Sequence, residues 1–208
     1  VHDNGEISKE AKPGSDIDLE IEIMNTFTSL ENIDIEDVEV RASIEGIDDG
    51  SDLEKESESF DLRADSDKTV RFKFKVPLNV EEGTYNIFIE TEGKGENGTS
   101  HKDDADIDLE VEKSLHDLRF ASFDLFPKRV ECSRDINANA RIINIGESDE
   151  ENALVEFQSS GLGIDAKSSF DVKSDAEVNA AAKNFRLKIS DSIVDGTYRF
   201  NANVRSED

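Results

Sequence analysis

The chain has 208 residues and carries fifty carboxylates against twenty-four Lys and Arg, a formal net charge of −26. A surface of that sign repels nucleic acid and anionic membranes, and its self-repulsion is best screened in molar salt, where the Debye length is about 3 Å. The single cysteine, Cys132, excludes an intrachain disulfide, and no stretch approaches the ~20 apolar residues of a membrane-spanning helix.

About a third of the residues are apolar, and they fall in short runs of period two. Ile17, Leu19, Ile21 and Ile23 alternate with Asp and Glu, which predicts a strand wet on one face and buried on the other. Val38, Val40, Ala42 and Ile44 predict the next strand, Phe60 to Leu62 a short one, and Val70, Phe72, Phe74 and Val76 another. Gly83-Thr84-Tyr85 leads into a further strand, Glu92 to Asp103 reads as a hairpin tip, and Ile107, Leu109 and Val111 close the first module. Residues 112–116 read as a short linker, which at about five residues predicts a semi-rigid tandem. The next strand holds Leu118, Phe120, Phe123 and Leu125, whose change of parity predicts a bulge. Helical periodicity is weak throughout, and 174–182 is the one stretch with room for a helical turn or two. Cys132 reads as a buried small hydrophobe, and no signal-peptide pattern stands at Val1.

The second half repeats the first. Phe72-Lys73-Phe74-Lys75-Val76 recurs as Phe185-Arg186-Leu187-Lys188-Ile189, and Gly83-Thr84-Tyr85 as Gly196-Thr197-Tyr198. Ser59-Phe60-Asp61-Leu62 recurs as Ser169-Phe170-Asp171-Val172, and Ile23-Met24-Asn25 as Ile142-Ile143-Asn144. Ordered matches of drifting offset are what loop insertions between equivalent strands produce. The expected fold is all-β: two tandem immunoglobulin-like antiparallel β-sandwiches, residues 1–113 and 114–208. Tyr85 and Tyr198 occupy the place of the tyrosine that bonds its hydroxyl to backbone at the corner before strand F. The second module lacks a counterpart of the first module's final strand. Its strand F, carrying Tyr198, Phe200, Ala202 and Val204, is therefore expected to be an interaction edge completed by β-strand addition. The donor is expected to be downstream sequence of the same polypeptide or a strand of a neighbouring subunit, and downstream sequence is favoured over self-donation by residues 1–11, where only Val1, Ile7 and Ala11 are apolar.

Lys12-Pro13-Gly14, the Asn ending each second strand, the Phe-x-(Phe/Leu)-x-(Val/Ile) strand and the Gly-Thr-Tyr lead-in together resemble CARDB-like and NEW3-like modules of archaeal and bacterial surface proteins, often described as S-layer-like. Asn144-Ile145-Gly146 and Leu162-Gly163-Ile164 look similar to repeats of large archaeal surface proteins. The resemblance implies an extracellular location and a structural or adhesive role.

Chemistry is hard to find. No Gly-x-Ser-x-Gly, Cys-x-x-Cys, His-Glu-x-x-His or Gly-rich phosphate loop is present, and His2, His101 and His116 lie far apart in sequence. The chain is expected to be no enzyme. Calcium is the inorganic ligand that fits best, on Asp48, Asp49 and Asp52 or on Asp103, Asp104 and Asp106, where hard oxygens crowd what reads as one loop. Solvated acidic loops are the favoured reading of both groups. Asn97-Gly98-Thr99 is a glycosylation triplet on the hairpin tip. An accessory, carbohydrate-binding module of a secreted hydrolase is the alternative function, and the lack of Trp argues against it.

Overall fold

A computed structural model describes residues 10–131, 134–174 and 180–206. Cys132, His2 and most of the stretch with room for a helical turn lie outside the described residues. Two compact units divide the chain, Val1–Glu112 and Lys113–Asp208.

Unit 1 contains β1 (Asp16–Met24), β2 (Ile35–Asp48), β3 (Ser51–Glu56), β4 (Phe60–Leu62), β5 (Asp67–Lys75), β6 (Gly83–Gly95) and β7 (Ser100–Val111). One sheet is the antiparallel pair β1–β5, and the other runs β3-β2-β6-β7 with β4 also on β2. The period-two pattern puts Ile21, Ile23, Phe72 and Phe74 of the first sheet against Val40, Ala42, Ile44, Ile87 and Leu109 of the second, all buried. Ala11 forms an isolated parallel bridge to Val111, its N–H donating to Glu110 O at 2.8 Å.

Unit 2 contains β8 (Leu118–Phe126), β9 (Asp135–Asn144), β10 (Glu150–Ser159), the 3-10 turn η1 (Ser160–Leu162), β11 (Ile164–Val172), β12 (Ala181–Lys188) and β13 (Asn201–Arg205). Its sheets are β12-β9-β8 and β11-β10-β13. Each unit is thus a two-sheet antiparallel sandwich, and the chain is an all-β tandem of immunoglobulin-like modules.

The repeat extends to hydrogen-bond detail. Leu19 opposes Phe72 in β1–β5, and Ala138 opposes Phe185 in β9–β12; Ala42 opposes Ile89 in β2–β6, and Phe157 opposes Ala202 in β10–β13. Both units break register early in the second sheet's long strand, between Ile35 and Val38 and between Glu150 and Ala153. The bulged residues Asp37 (φ 52°) and Asn152 (φ 58°) each donate their N–H to a carboxylate, Asp61 Oδ1 at 3.2 Å and Asp171 Oδ1 at 3.0 Å. Asp34 Oδ1 likewise accepts from Ala64 N, and Asp149 Oδ1 from Ser174 N, both at 2.9 Å. Asn25 and Asn144 are both buried at the end of the equivalent strand. Asn25 Oδ1 accepts from Phe27 N while its amide donates to Ile33 O at 2.9 Å and Leu62 O at 3.1 Å. Asn144 Oδ1 accepts from Gly146 N, and its amide donates to Ser148 O at 2.6 Å.

Several expectations need correcting. The hairpin tip is shorter than residues 92–103, because β6 runs to Gly95 and β7 begins at Ser100. Ala105 and Ile107 are half-buried on the sandwich side, so the alternation continues through the acidic run and holds it as strand. Asp103, Asp104 and Asp106 are therefore strand residues and not one loop. In unit 2 the Phe-Asp-Val segment is no separate short strand but the end of the continuous β11. The parity change in β8 is a bulge, with Phe120 opposite Ile142 and Ser122 opposite Arg141.

Candidate functional site

The open edge of unit 2 starts from its tyrosine corner. Tyr198 donates its hydroxyl proton to Val194 O at 2.7 Å, as Tyr85 does to Glu81 O at 2.9 Å. Burial, with the Glu81 carboxylate nearby, pushes the Tyr85 phenol above its ordinary pKa. A Cβ on Gly161 would stand 2.7 Å from Tyr198 Cδ1, so glycine is required where η1 passes the ring. The corner aims the chain into β13, which begins at Asn201; Tyr198 and Phe200 lie in the extended lead-in and not in the strand itself. Ser159, buried, donates its hydroxyl to Arg199 O at 2.7 Å and ties the lead-in to β10.

β13 pairs with β10 along Leu154–Arg205 to Gln158–Asn201, and its other side is hydrogen-bonded to no strand among the described residues. Phe200, Ala202 and Val204 alternate toward the core yet stay half-buried. Phe157, fully buried, is the hub beneath them: its ring lies 5.4 Å from Phe123, 6.0 Å from Phe200 and 4.7 Å from Phe185, centroid to centroid. Phe123 on β8 stacks on Phe200 at 6.2 Å and remains 37 % exposed. The site is thus a strand edge bordered by a partly covered aromatic cluster. Of the four residues named from sequence, Ala202 and Val204 lie in β13 and Tyr198 and Phe200 in its lead-in; Phe123 was placed in a strand but not at this edge, since its bulged strand hides which face it takes.

The segment that carries this edge is locally basic. From Gly196 to Ser206 there is no carboxylate, and Arg199, Asn201, Asn203 and Arg205 are exposed. Arg205 Nη2 is 3.6 Å from Glu156 Oε1, whose nearer partner is Lys167 Nζ at 2.8 Å. The Lys167 hydrogen bond holds the Glu156 carboxyl below its ordinary pKa.

A second opening lies in unit 1, a groove of about 770 Å³ between β1 and β7, lined by Leu19, Ile21, Ile23, Ile89 and Ile107. His101 is half-buried there, 5.5 Å from the Phe27 ring.

The proposed calcium ligands are not brought together. Asp49 (φ 50°) and Gly50 (φ 81°) form the two-residue turn of the β2–β3 hairpin, a conformation that Asp-Gly favours, and Asp52 Oδ1 accepts from Gly46 N at 2.7 Å. Asp48, Asp49 and Asp52 therefore serve the hairpin. Asp106 Oδ1 accepts from Asn86 Nδ2 at 2.8 Å, and the strand alternation sends Asp104 and Asp106 to the face opposite Asp103. Among the described residues no three His, Cys, Asp or Glu converge as metal ligands. Asn97 is exposed at the β6–β7 tip, where its Oδ1 accepts from Thr99 N at 2.9 Å.

Sequence reading missed one further cluster. Glu150 is buried, with Oε1 2.9 Å from His116 Nδ1 and Oε2 accepting from Ser206 Oγ at 2.6 Å. It occupies the place that Ile35 fills in unit 1, a substitution that only the bulge register makes visible.

No family model and no curated protein matches the chain. Among solved structures it is similar to red sea bream transglutaminase, at 10% identity and a TM-score of 0.34, over 96% of this chain and 28% of that one. It is also similar to Spo0M, a sporulation control protein of Bacillus subtilis, at 11% identity and a TM-score of 0.30, over 86% of this chain and 87% of that one.

Proposed function

We propose that the chain is a non-catalytic structural or adhesive segment of a larger cell-surface assembly, joined to its neighbours by strand addition at β13. The observation that supports this reading is the outer side of β13, which is hydrogen-bonded to no described strand while Phe123 and Phe200 beside it stay partly uncovered. The acidic surface, the tandem repeat and the resemblance of its turn and strand motifs to surface-protein modules agree with an extracellular setting. Native hydrogen exchange on dilute monomer tests the edge. Amides of Phe200, Ala202 and Val204 should exchange far faster than those of Ile87 and Ile89, which lie between β2 and β7. Equal protection of the two strands in a monomer would refute strand addition.

A further inference from the structure

Unit 1 contains a strand, β7, with no counterpart among the described residues of unit 2, and it shows what such a strand must be. In β6–β7, Leu109 opposes Tyr85, Ile107 opposes Ile87 and Ala105 opposes Ile89, while Asp108, Asp106 and Asp104 take the outer face between them. Asn86, next to the corner tyrosine, donates to Asp106 across the pair.

The repeat maps this ladder onto unit 2. Tyr198, Phe200 and Ala202 stand where Tyr85, Ile87 and Ile89 stand, and Arg199, Asn201 and Asn203 take the places of Asn86, Phe88 and Glu90. The outer face has thus exchanged its one acid, Glu90, for an amide and gained a cation at Arg199. Arg199 makes no ion pair among the described residues, in a protein where carboxylates outnumber cations two to one. Lys55, Arg63 and Lys75 are likewise exposed and without an ion pair among the described residues; what sets Arg199 apart is its place beside the open side of the strand, where a carboxylate of an added strand would reach it.

We infer that β13 receives an extended segment of alternating apolar and acidic residues from outside these 208 residues, paired antiparallel in the register of β7 on β6. Its apolar residues cover Phe123 and Phe200, and its carboxylates lie beside Arg199, Asn201, Asn203 and Arg205. This rests on the strand-addition reading and adds the chemistry of the partner.

The test uses the intact 208-residue chain and two synthetic decapeptides. One has the sequence of residues 103–112, Asp-Asp-Ala-Asp-Ile-Asp-Leu-Glu-Val-Glu; in the other every Asp and Glu is Lys. The net charge of −26 attracts the Lys peptide and repels the acidic one, so preference for the acidic peptide has to come from the local edge. At moderate salt the acidic peptide should slow exchange of the Phe200, Ala202 and Val204 amides about tenfold or more, and the Lys peptide should not. The variant R199E, at an exposed position that makes no ion pair among the described residues, should abolish the preference for the acidic peptide without moving the unit 2 melting transition. If the Lys peptide protects these amides as well or better in the unsubstituted chain, the acidic specificity is overturned while strand addition stands. If neither peptide protects them, both fall.

Discussion

The two units are the same sandwich left open on different strands. In unit 2, β8 covers β9, with Phe120 opposite Ile142 and Phe123 opposite Ala140. In unit 1 no described strand covers the outer side of β1, and the groove lined by Leu19, Ile21 and Ile23 opens there. Conversely, β7 pairs with β6, whereas no described strand pairs with β13 on that side. The cores have adjusted accordingly. Where unit 1 has Ala42, opposite Ile89 and backed by β7, unit 2 has Phe157, opposite Ala202, with the rings of Phe123, Phe185 and Phe200 around it. Backbone register is thus held constant while side-chain volume moves inward where a strand is missing, which keeps the interior filled.

The largest expected effect tests that substitution of volume. Phe157→Ala removes the hub of the ring cluster and should cost unit 2 about 3–5 kcal/mol. In calorimetry of the whole chain, the unit 2 transition should fall by more than about 10 °C while that of unit 1 stays in place. A coincident fall of both would break the view of two separately stable cores.

Next are the paired asparagines. Asn25→Ala strands two carbonyls, Ile33 O and Leu62 O, whereas Asn144→Ala strands one, Ser148 O. Each lost buried partner costs about 1–3 kcal/mol, so the first variant should be the more destabilised by urea titration. Equal costs would mean that the shared turn, not the long-range bond to Leu62, carries the stability.

Glu150 sharpens the contrast further. His116→Ala takes one partner from a buried carboxylate and should lower unit 2 stability by about 1–3 kcal/mol. Glu150→Ile, which installs the unit 1 residue, removes the buried charge itself and should come out within about 1 kcal/mol of the parent chain. A severe loss in Glu150→Ile would show that the His116–Glu150–Ser206 link is indispensable.

The smallest effect concerns Glu156. Because Lys167 depresses its folded pKa, the pair contributes stability above the ordinary Glu pKa, and that contribution is lost as pH falls through the folded value. Glu156→Gln should therefore lower the melting temperature slightly at neutral pH and leave it unchanged in strong acid. A difference that persists in acid would point to packing of the side chain instead of its charge.

How much of this was legible in the sequence depended on whether residues advertise themselves by periodicity. The strands β1, β2 and β5 and both tyrosine corners could be read because burial imposes alternation and the corner imposes Gly-Thr-Tyr. β3, Ser51–Glu56, could not, since only Leu53 packs inward and the strand exists because Asp49-Gly50 folds it back on β2. The start of β7 was misassigned as loop because acidic composition masked the small apolar step at Ala105. Of the candidate site, the bare edge followed from counting strands in a repeat. Its ring cluster did not, because Phe123, Phe157 and Phe185 come from three strands and meet only across the sandwich. The acids that matter structurally, Asp34, Asp61, Asp149 and Asp171, were hidden among fifty.

The β1–β5 pair contains an ambiguity that Asn25 resolves. Across it Asp18 meets Lys73 at 3.0 Å and Glu20 meets Arg71 at 3.0 Å, an exposed ladder of modest individual worth. Sliding β5 by two residues would set Asp18 against Lys75, Glu20 against Lys73 and Glu22 against Arg71, each of the three cations still matched. The apolar faces would match too, with Leu19 opposite Phe74 and Ile21 opposite Phe72, since only an odd slip turns side chains to the wrong side. Charge and hydrophobicity therefore bind these strands like a vernier with repeated marks, gripping at more than one setting. The reading is fixed at the end of the scale, where Asn25 N–H must find Ser66 O and its amide must find Leu62 O. One buried side chain so selects a single alignment out of a set that the rest of the strand would accept.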